Sequence, residues 1–365
     1  MSRKVIISGG GTGGHIFPAV SIANEIKRRE PDAEILFVGA SGGMELSVVP
    51  KYNFPIKAVW ISGIQRQITL QNIFRNLLFP LKFVVSQIQA RQILNRFRPQ
   101  LVVGVGGFAS GPLGRVAAGK KIPLFICEQN AYPGLVNKWL APKASKILLG
   151  NADAKKYFPE EKVIVTGNPI RTFQLLSREV AAVKLGLNPA KPILLSLGGS
   201  LGALTLNDAL QQNLQKIIDA DVQLVWQCGK RYYETLAPLI INHPNVKLLP
   251  FIDDMAAAYS AADLIISRAG GSTISELIAL SKPAILVPSP NVAEDHQTKN
   301  ALSLSEKDAA VLVRDKEARE KLVNEALAIL SDKPRLILLT QKITSMEKHN
   351  AAKEIVDELF SEGKI

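Results

Sequence analysis

Cysteine is nearly absent: only Cys127 and Cys228 occur in 365 residues, and neither belongs to a CxxC pattern. That excludes a disulfide scaffold and a thiolate zinc site, and it points to a reducing compartment. Long hydrophobic runs are missing as well. The greasiest stretch, Leu77 to Ile88, is broken by Pro80 and Lys82 and falls short of the ~20 apolar residues of a spanning helix. Val5 to Ile7 is too short an apolar run for a signal-peptide core. The expectation is a protein that does not cross a membrane.

Acid is missing from one long stretch. Between Glu45 and Glu128 stand 11 basic residues and no Asp or Glu: Lys51, Lys57, Arg66, Arg75, Lys82, Arg91, Arg96, Arg98, Arg115, Lys120 and Lys121. Residues 1–168 carry 22 Lys/Arg against 9 Asp/Glu, whereas residues 169–365 carry 22 against 23. Nearly all of the net charge of +12 therefore lies in the first half. A one-sided basic block implies an anionic surface as partner, lipid or nucleic acid.

What is present is a regular alternation. Strand-length apolar runs occur at Lys4–Ser8, Glu34–Val38, Leu101–Val105, Leu124–Cys127, Lys146–Leu149 and Val163–Thr166. A second series follows at Ile193–Leu197, Gln223–Gln227, Val246–Leu249, Leu264–Ser267 and Ala284–Val287. Helix-period segments separate them. Uninterrupted runs such as Ile193–Leu197 suit strands buried on both faces, which means parallel sheets covered by helices. The fold class is α/β. Strand, glycine loop and helix begin at Lys4 and again at Ile193, so the chain reads as two Rossmann-like domains, 1–168 and 169–341. The hinge lies at Gly167-Asn-Pro-Ile-Arg171, and a helix over about 342–365 returns to the first domain. Two such halves facing each other across a cleft would bind ligand at the carboxyl ends of their strands.

Four glycine loops follow strands. Ser8-Gly-Gly-Gly-Thr-Gly-Gly-His15 contains GxGxxG and opens a helix in whose first turn Pro18 is tolerated. Glycines let backbone N–H groups approach a phosphate, and the helix N-terminus adds positive potential. The next strand ends in Gly39 and Ala40, without the acid of a dinucleotide site, and no GxxxxGK[ST] follows this strand. His15, at the helix entrance, is a candidate general base that the N-terminus would favour as neutral imidazole. Hydrogen bonding to the loop backbone accounts for it equally well. Gly198-Gly-Ser-Leu-Gly-Ala203 offers Ser200 to a phosphate oxygen. In Ser267-Arg-Ala-Gly-Gly-Ser-Thr-Ile-Ser-Glu276, Glu276 could accept both hydroxyls of a ribose; as Thr273-x-x-Glu276 it also fits a capping box, which spacing alone favours. Gly104 to Pro112 precedes Cys127-Glu-Gln-Asn130, where Glu128 is a second base candidate and Asn130 a partner for sugar hydroxyls.

Metal signals are thin. Asp219-Ala-Asp221 spells DxD but falls before a strand, at the wrong end of the sheet, and reads as a solvated turn. Asp253-Asp254 is expected to cap the following helix.

Taken in order and spacing, Gly9-Gly-Gly-Thr-Gly-Gly-His-Ile-Phe-Pro18, Glu128-Gln-Asn130, Gly167-Asn-Pro-Ile-Arg171, Gly198 to Ala203, Phe251-Ile-Asp-Asp-Met255 and Arg268 to Glu276 resemble the MurG family. These are the bacterial N-acetylglucosaminyltransferases of peptidoglycan synthesis, and the resemblance spans essentially the whole chain. It implies a GT-B architecture and inverting transfer of GlcNAc from UDP-GlcNAc to undecaprenyl-pyrophosphoryl-MurNAc-pentapeptide (lipid I), completing lipid II with no cofactor and no DxD metal. It further implies donor contacts from Thr12, Gly13, Gly14, Asn130 and Arg171, and from Ser200, Ile252, Gly271, Ser272, Thr273, Ile274, Ser275, Glu276 and Gln297. Ile252 would meet the uracil edge through its backbone, and Glu276 would hold the ribose. One departure stands out. The family usually has His before Glu-Gln-Asn, and here Cys127 occupies that position, leaving His15 and Glu128 as base candidates.

The basic block then acquires a purpose. Phe74, Leu77, Leu78, Phe79, Leu81, Phe83, Val84 and Val85 interleave with Arg75 and Lys82 inside a patch spanning about 66–98, with Arg66 and Arg91 flanking. This is how a peripheral protein holds anionic lipid, here expected at the cytoplasmic face of the plasma membrane and without nucleic acid. The alternative is an ordinary buried helix with basic edges. Two other functions remain open: a UDP-GlcNAc 2-epimerase of the same architecture, and a basic nucleic-acid-binding protein, which would leave the four glycine loops unexplained.

Overall fold

The computed structural model describes residues 2–63, 77–170, 173–199, 201–240, 243–292 and 295–362. Arg171, Ser200, Arg66, Phe74 and Arg75 lie outside them. The chain forms two compact units, residues 1–171 with 349–365, and residues 172–348.

The first unit holds a seven-stranded parallel sheet: β1 (Lys4–Gly9), β2 (Glu34–Ala40), β3 (Ile56–Val59), β4 (Leu101–Gly106), β5 (Leu124–Glu128), β6 (Lys146–Leu149) and β7 (Val163–Val165), in the order β3-β2-β1-β4-β5-β6-β7. Successive side chains alternate faces, so Val5 and Ile7 enter one core with Ile16, Ile22 and Phe125. Ile6 enters the other core with Leu94, Val102 and Leu113. Burial on both faces is why these strands read as unbroken apolar runs.

The second unit repeats the plan with six parallel strands: β8 (Ile193–Leu197), β9 (Gln223–Gln227), β10 (Val246–Leu249), β11 (Leu264–Ser267), β12 (Ala284–Leu286) and β13 (Val311–Leu312). Their order is β10-β9-β8-β11-β12-β13. In each sheet the order reverses direction beside the first strand, between β1 and β4 and between β8 and β11. Consecutive crossovers leave in opposite directions there and open a crevice at the carboxyl ends of the strands. All four glycine loops follow these four strands.

Three local expectations need correction. The first helix runs Gly13–Arg29, so Pro18 sits in its second turn and costs the helix one internal bond there. The Lys342–Phe360 segment is two helices, Lys333–Thr344 and Ala351–Glu362. Only the latter belongs to the first unit, burying Ile355, Val356 and Leu359 in the core shared with Gly13–Arg29 and pairing Asp357 with Arg29 at 2.6 Å. The strands β3 and β13 were not foreseen.

Candidate functional site

In the first unit, Thr12 is the extended N-cap residue of helix Gly13–Arg29, without a side-chain cap bond, and Gly13 and Gly14 form its first turn. His15 Nδ1 lies 2.9 Å from the Gly10 carbonyl. A carbonyl only accepts, so Nδ1 carries a proton, and the tautomer this selects has its lone pair on Nε2. The loop after β4 leaves room for that ring. Gly106, at φ +104°, would place a Cβ 2.8 Å from Nε2, and Gly107, at φ +86°, would place one 2.6 Å from the Gly10 carbonyl. Both positions need glycine for conformation as well as for space.

Glu128, at the end of β5, is 2% exposed. Its Oε1 accepts from the Asn130 backbone N–H (3.0 Å) and Asn130 Nδ2 (3.1 Å). Its Oε2 accepts from Gly134 N (3.0 Å) and Asn137 Nδ2 (2.8 Å). A carboxylate has about four lone-pair sites, and four donors occupy them. Glu128 thus ties the 128–137 loop together, and Asn130 is held by it. Asn168 joins the same cluster through Nδ2 to the Gln129 carbonyl (2.8 Å).

Cys127 is buried in the core. Burial, followed by the neighbouring Glu128 charge, pushes its thiol up to about 12. A group so rarely ionised is neither nucleophile nor base near neutrality. Its thiolate fraction at about pH 8 is ~10⁻⁴. Iodoacetamide at that pH should therefore leave Cys127 unmodified in the native protein and label it after denaturation, read by peptide mass spectrometry.

In the second unit, Gly270 is the extended N-cap residue of helix Gly271–Ala279, which opens directly after β11. Thr273 is therefore the third helical residue, and the Thr273–Glu276 capping box does not form. Glu276 instead accepts from the Tyr259 hydroxyl at 2.6 Å, both side chains being buried. The Tyr259 ring packs edge-on against Phe173, centroids 5.3 Å apart. Gly271, Ser272, Thr273, Ile274 and Ser275 make up the first turns beside it, with the Ile274 side chain buried in the core. Arg268 binds the Val287 carbonyl (3.1 Å) and pairs with Asp315, which also accepts from the Thr205 hydroxyl (3.1 Å). Asn300 Nδ2 reaches the Ala269 carbonyl at 3.0 Å. Gln297 Oε1 accepts from Ser289 N at 2.9 Å. The Ile252 side chain belongs to the core and is closed to a ligand. Asp254 caps helix Met255–Ala261 through Ala257 N (2.9 Å). Asp221 pairs with Lys191 at 2.6 Å, ahead of β9.

The β8 loop is equally constrained. Gly202 (φ +78°) would carry a Cβ 2.2 Å from the Cys228 carbonyl, and Gly229 (φ +88°) one 2.4 Å from the Gly202 backbone N. Asn207 Nδ2 holds that Cys228 carbonyl (3.0 Å), and its Oδ1 accepts from Trp226 Nε1 (2.9 Å).

The family model for the glycosyltransferase family 28 N-terminal domain matches residues 5–149, and that for the family's C-terminal domain matches residues 193–359. The chain belongs to glycosyltransferase family 28. It is 47% identical to the UDP-N-acetylglucosamine–N-acetylmuramyl-(pentapeptide) pyrophosphoryl-undecaprenol N-acetylglucosamine transferase of Cytophaga hutchinsonii, over 98% of this chain and 96% of the other. It is 49% identical to the enzyme of that name from Bacteroides fragilis, over 98% and 95%. The crystal structure of Acinetobacter baumannii MurG is similar, with a TM-score of 0.77, 28% identity and coverage of 98% and 99%. The two units therefore have the GT-B glycosyltransferase plan. A Listeria monocytogenes protein described as a UDP-N-acetylglucosamine 2-epimerase shares the fold at 15% identity, with a TM-score of 0.70.

The structure also brings in residues that the sequence did not single out: Glu45, Asn137, Tyr259 and Asn300. Glu45 alone had a signal, an acid among Gly39, Gly42 and Gly43; the other three reach partners 9 to 31 positions away, which no local pattern announces.

Proposed function

We propose that this chain transfers N-acetylglucosamine from UDP-GlcNAc to the MurNAc 4-hydroxyl of undecaprenyl-pyrophosphoryl-MurNAc-pentapeptide, the step that makes lipid II in peptidoglycan synthesis. The observation that carries this reading is identity of 44–49% to transferases of that name over 98% of the chain. The Listeria monocytogenes epimerase shares the fold at only 15% identity. His15 Nε2 takes the proton of the acceptor hydroxyl as its oxygen attacks the anomeric carbon in line, with inversion, and UDP departs. The N-terminus of helix Gly271–Ala279, with its positive dipole end, stabilises the charge that grows on the diphosphate. Glu276 accepts the ribose hydroxyls, its carboxylate aimed by Tyr259, and the Ile252 backbone meets the uracil. Arg171 and Ser200 add donors to the diphosphate. Glu128 acts by holding Asn130 rather than as base, because its four donors would have to be surrendered before it took a proton. The decisive assay is labelled UDP-GlcNAc with and without a lipid I analogue. Sugar transfer only with acceptor supports the reading; epimerised product without acceptor refutes it.

The acceptor's lipid requires a membrane, and among the described residues no helix is long and apolar enough to cross one. Helix Phe79–Phe97 buries Ser86, Ala90 and Leu94 and turns Leu81, Val84 and Ile88 outward, each more than half exposed. An ordinary buried helix would not display that stripe. Trp139 and Phe83 stand beside it, 6.1 Å apart, with the Arg115 guanidinium 5.7 and 5.8 Å from their ring centres. Lys82 lies 5.8 Å from the Trp60 ring. Apolar side chains ringed by cations suit peripheral attachment to the anionic cytoplasmic face of the plasma membrane. Arg115→Ala should weaken binding to anionic vesicles about fivefold, and Val84→Asp more, measured by co-sedimentation. Unchanged sedimentation of both variants would remove this patch from the interface.

A further inference from the structure

Glu45 is wholly buried in the first unit, in a short helix, Glu45–Val48, that follows β2. Its Oε2 accepts from Gly11 N at 2.9 Å and its Oε1 from Ala40 N at 2.8 Å. Three glycines crowd the side chain. A Cβ on Gly10 would lie 2.2 Å from the carboxyl carbon, one on Gly43 2.3 Å from Oε1, and one on Gly39 2.4 Å from Cγ. The carboxylate thus fills, from inside the protein, a cradle of backbone N–H groups of the kind that elsewhere receives an anionic ligand. It also explains why no acid ends β2: the acid sits five residues further on and turns back into the loop.

The peptide that Glu45 grips joins Gly10 to Gly11. Its N–H goes to Glu45, and its carbonyl, that of Gly10, receives His15 Nδ1–H at 2.9 Å. One rigid amide plane therefore connects the buried carboxylate to the imidazole. We propose that Glu45 is a positioning residue for the transfer: through the Gly10–Gly11 peptide it fixes the tautomer and direction of His15, so that Nε2 is the nitrogen offered to the acceptor hydroxyl. This rests on His15 being the base. An outer hydrogen bond that selects a histidine's tautomer is a known way to set the basicity and aim of the other nitrogen.

The variant that isolates the effect is Glu45→Gln, which keeps the shape but turns an amide NH₂ against one of two backbone N–H donors. Turnover should fall about 10²-fold, the cost of a misplacement on the order of 1 Å, with the KM for UDP-GlcNAc within about twofold. A structural role alone would not change the histidine ring. The protein has only 4 histidines, so ¹⁵N shifts of the imidazoles can resolve His15. Nδ1-protonated in the wild type, it should become a mixture of tautomers in Glu45→Gln. In the double variant with His15→Ala, the loss should be no larger than with His15→Ala alone, because both changes remove one function. If Glu45→Gln does not fold, Gly43→Ala pushes on the same carboxylate from its other side and should shift the same resonances. An unchanged His15 tautomer, or losses that add in full, would overturn the proposal. Undiminished turnover in His15→Ala would sink the base assignment itself, whatever Glu45 does.

Discussion

His15→Ala is expected to lower turnover by about 10²–10⁴-fold, the range a positioned general base supplies, while the affinity for UDP-GlcNAc stays within about threefold. The reason lies in what the ring touches. Its Nδ1–H is spent on the Gly10 carbonyl, which leaves Nε2 as the nitrogen with a lone pair to give. The proposed work of Nε2 is on the acceptor hydroxyl and not on the nucleotide, so removing the ring should spare the donor. Glu128, the other acid–base candidate, is saturated by two backbone and two amide donors. Glu128→Ala should accordingly act through the 128–137 loop, whereas His15→Ala should act on the chemical step. Steady-state kinetics at saturating donor, paired with calorimetric titration of UDP, separates the two. A His15→Ala protein that turns over normally would end this assignment.

Glu276→Ala should raise the dissociation constant for UDP about 10²-fold, because hydrogen bonds to a charged acceptor are each worth roughly 1.5–3 kcal/mol. The buried Tyr259 hydroxyl, 2.6 Å from that carboxylate, would lose this partner as well. A control separates the two effects. Tyr259→Phe removes the hydroxyl but keeps the ring against Phe173, so it should weaken UDP binding only about threefold to tenfold, the worth of one hydrogen bond that aims the carboxylate. Turnover at saturating donor should fall less than tenfold in either variant if Glu276 binds ground and transition states alike. Calorimetric titration with UDP decides the matter: wild-type affinity in Glu276→Ala would show that the carboxylate serves only Tyr259 and the fold.

The sheets and their loops were legible in advance because their residues answer to local rules. Strands buried on both faces are mostly apolar, so Ile193–Leu197, Gln223–Gln227 and Leu264–Ser267 stand at the bounds their composition indicates. The edge strands β3 and β13 were invisible for the converse reason. Ile56-Lys-Ala-Val59 lies at a sheet margin with its two middle residues exposed, and two residues at Val311–Leu312 are too few for any period. Capping was legible only where the cap is adjacent. Asp254 does cap its helix, whereas the Thr273–Glu276 box failed because the helix opens three residues earlier, on the small residues Gly270 and Gly271.

By itself the sequence determined the α/β class, the four glycine loops, the basic first half, and membership of a family readable from motifs in order. Only the tertiary structure decided what the individual acids do. Glu128 and Glu276 look alike as carboxylates near loops. Yet one is consumed by four donors of its own loop, while the other is held by a tyrosine 17 positions earlier in the chain. Glu45, with little in the sequence to mark it, proves to organise the first loop from within. The physical reason is that a carboxylate's role is set by which donors reach it. Those donors are delivered by strand order, which brings β1 beside β4 and β8 beside β11 across separations in sequence that no local pattern spans.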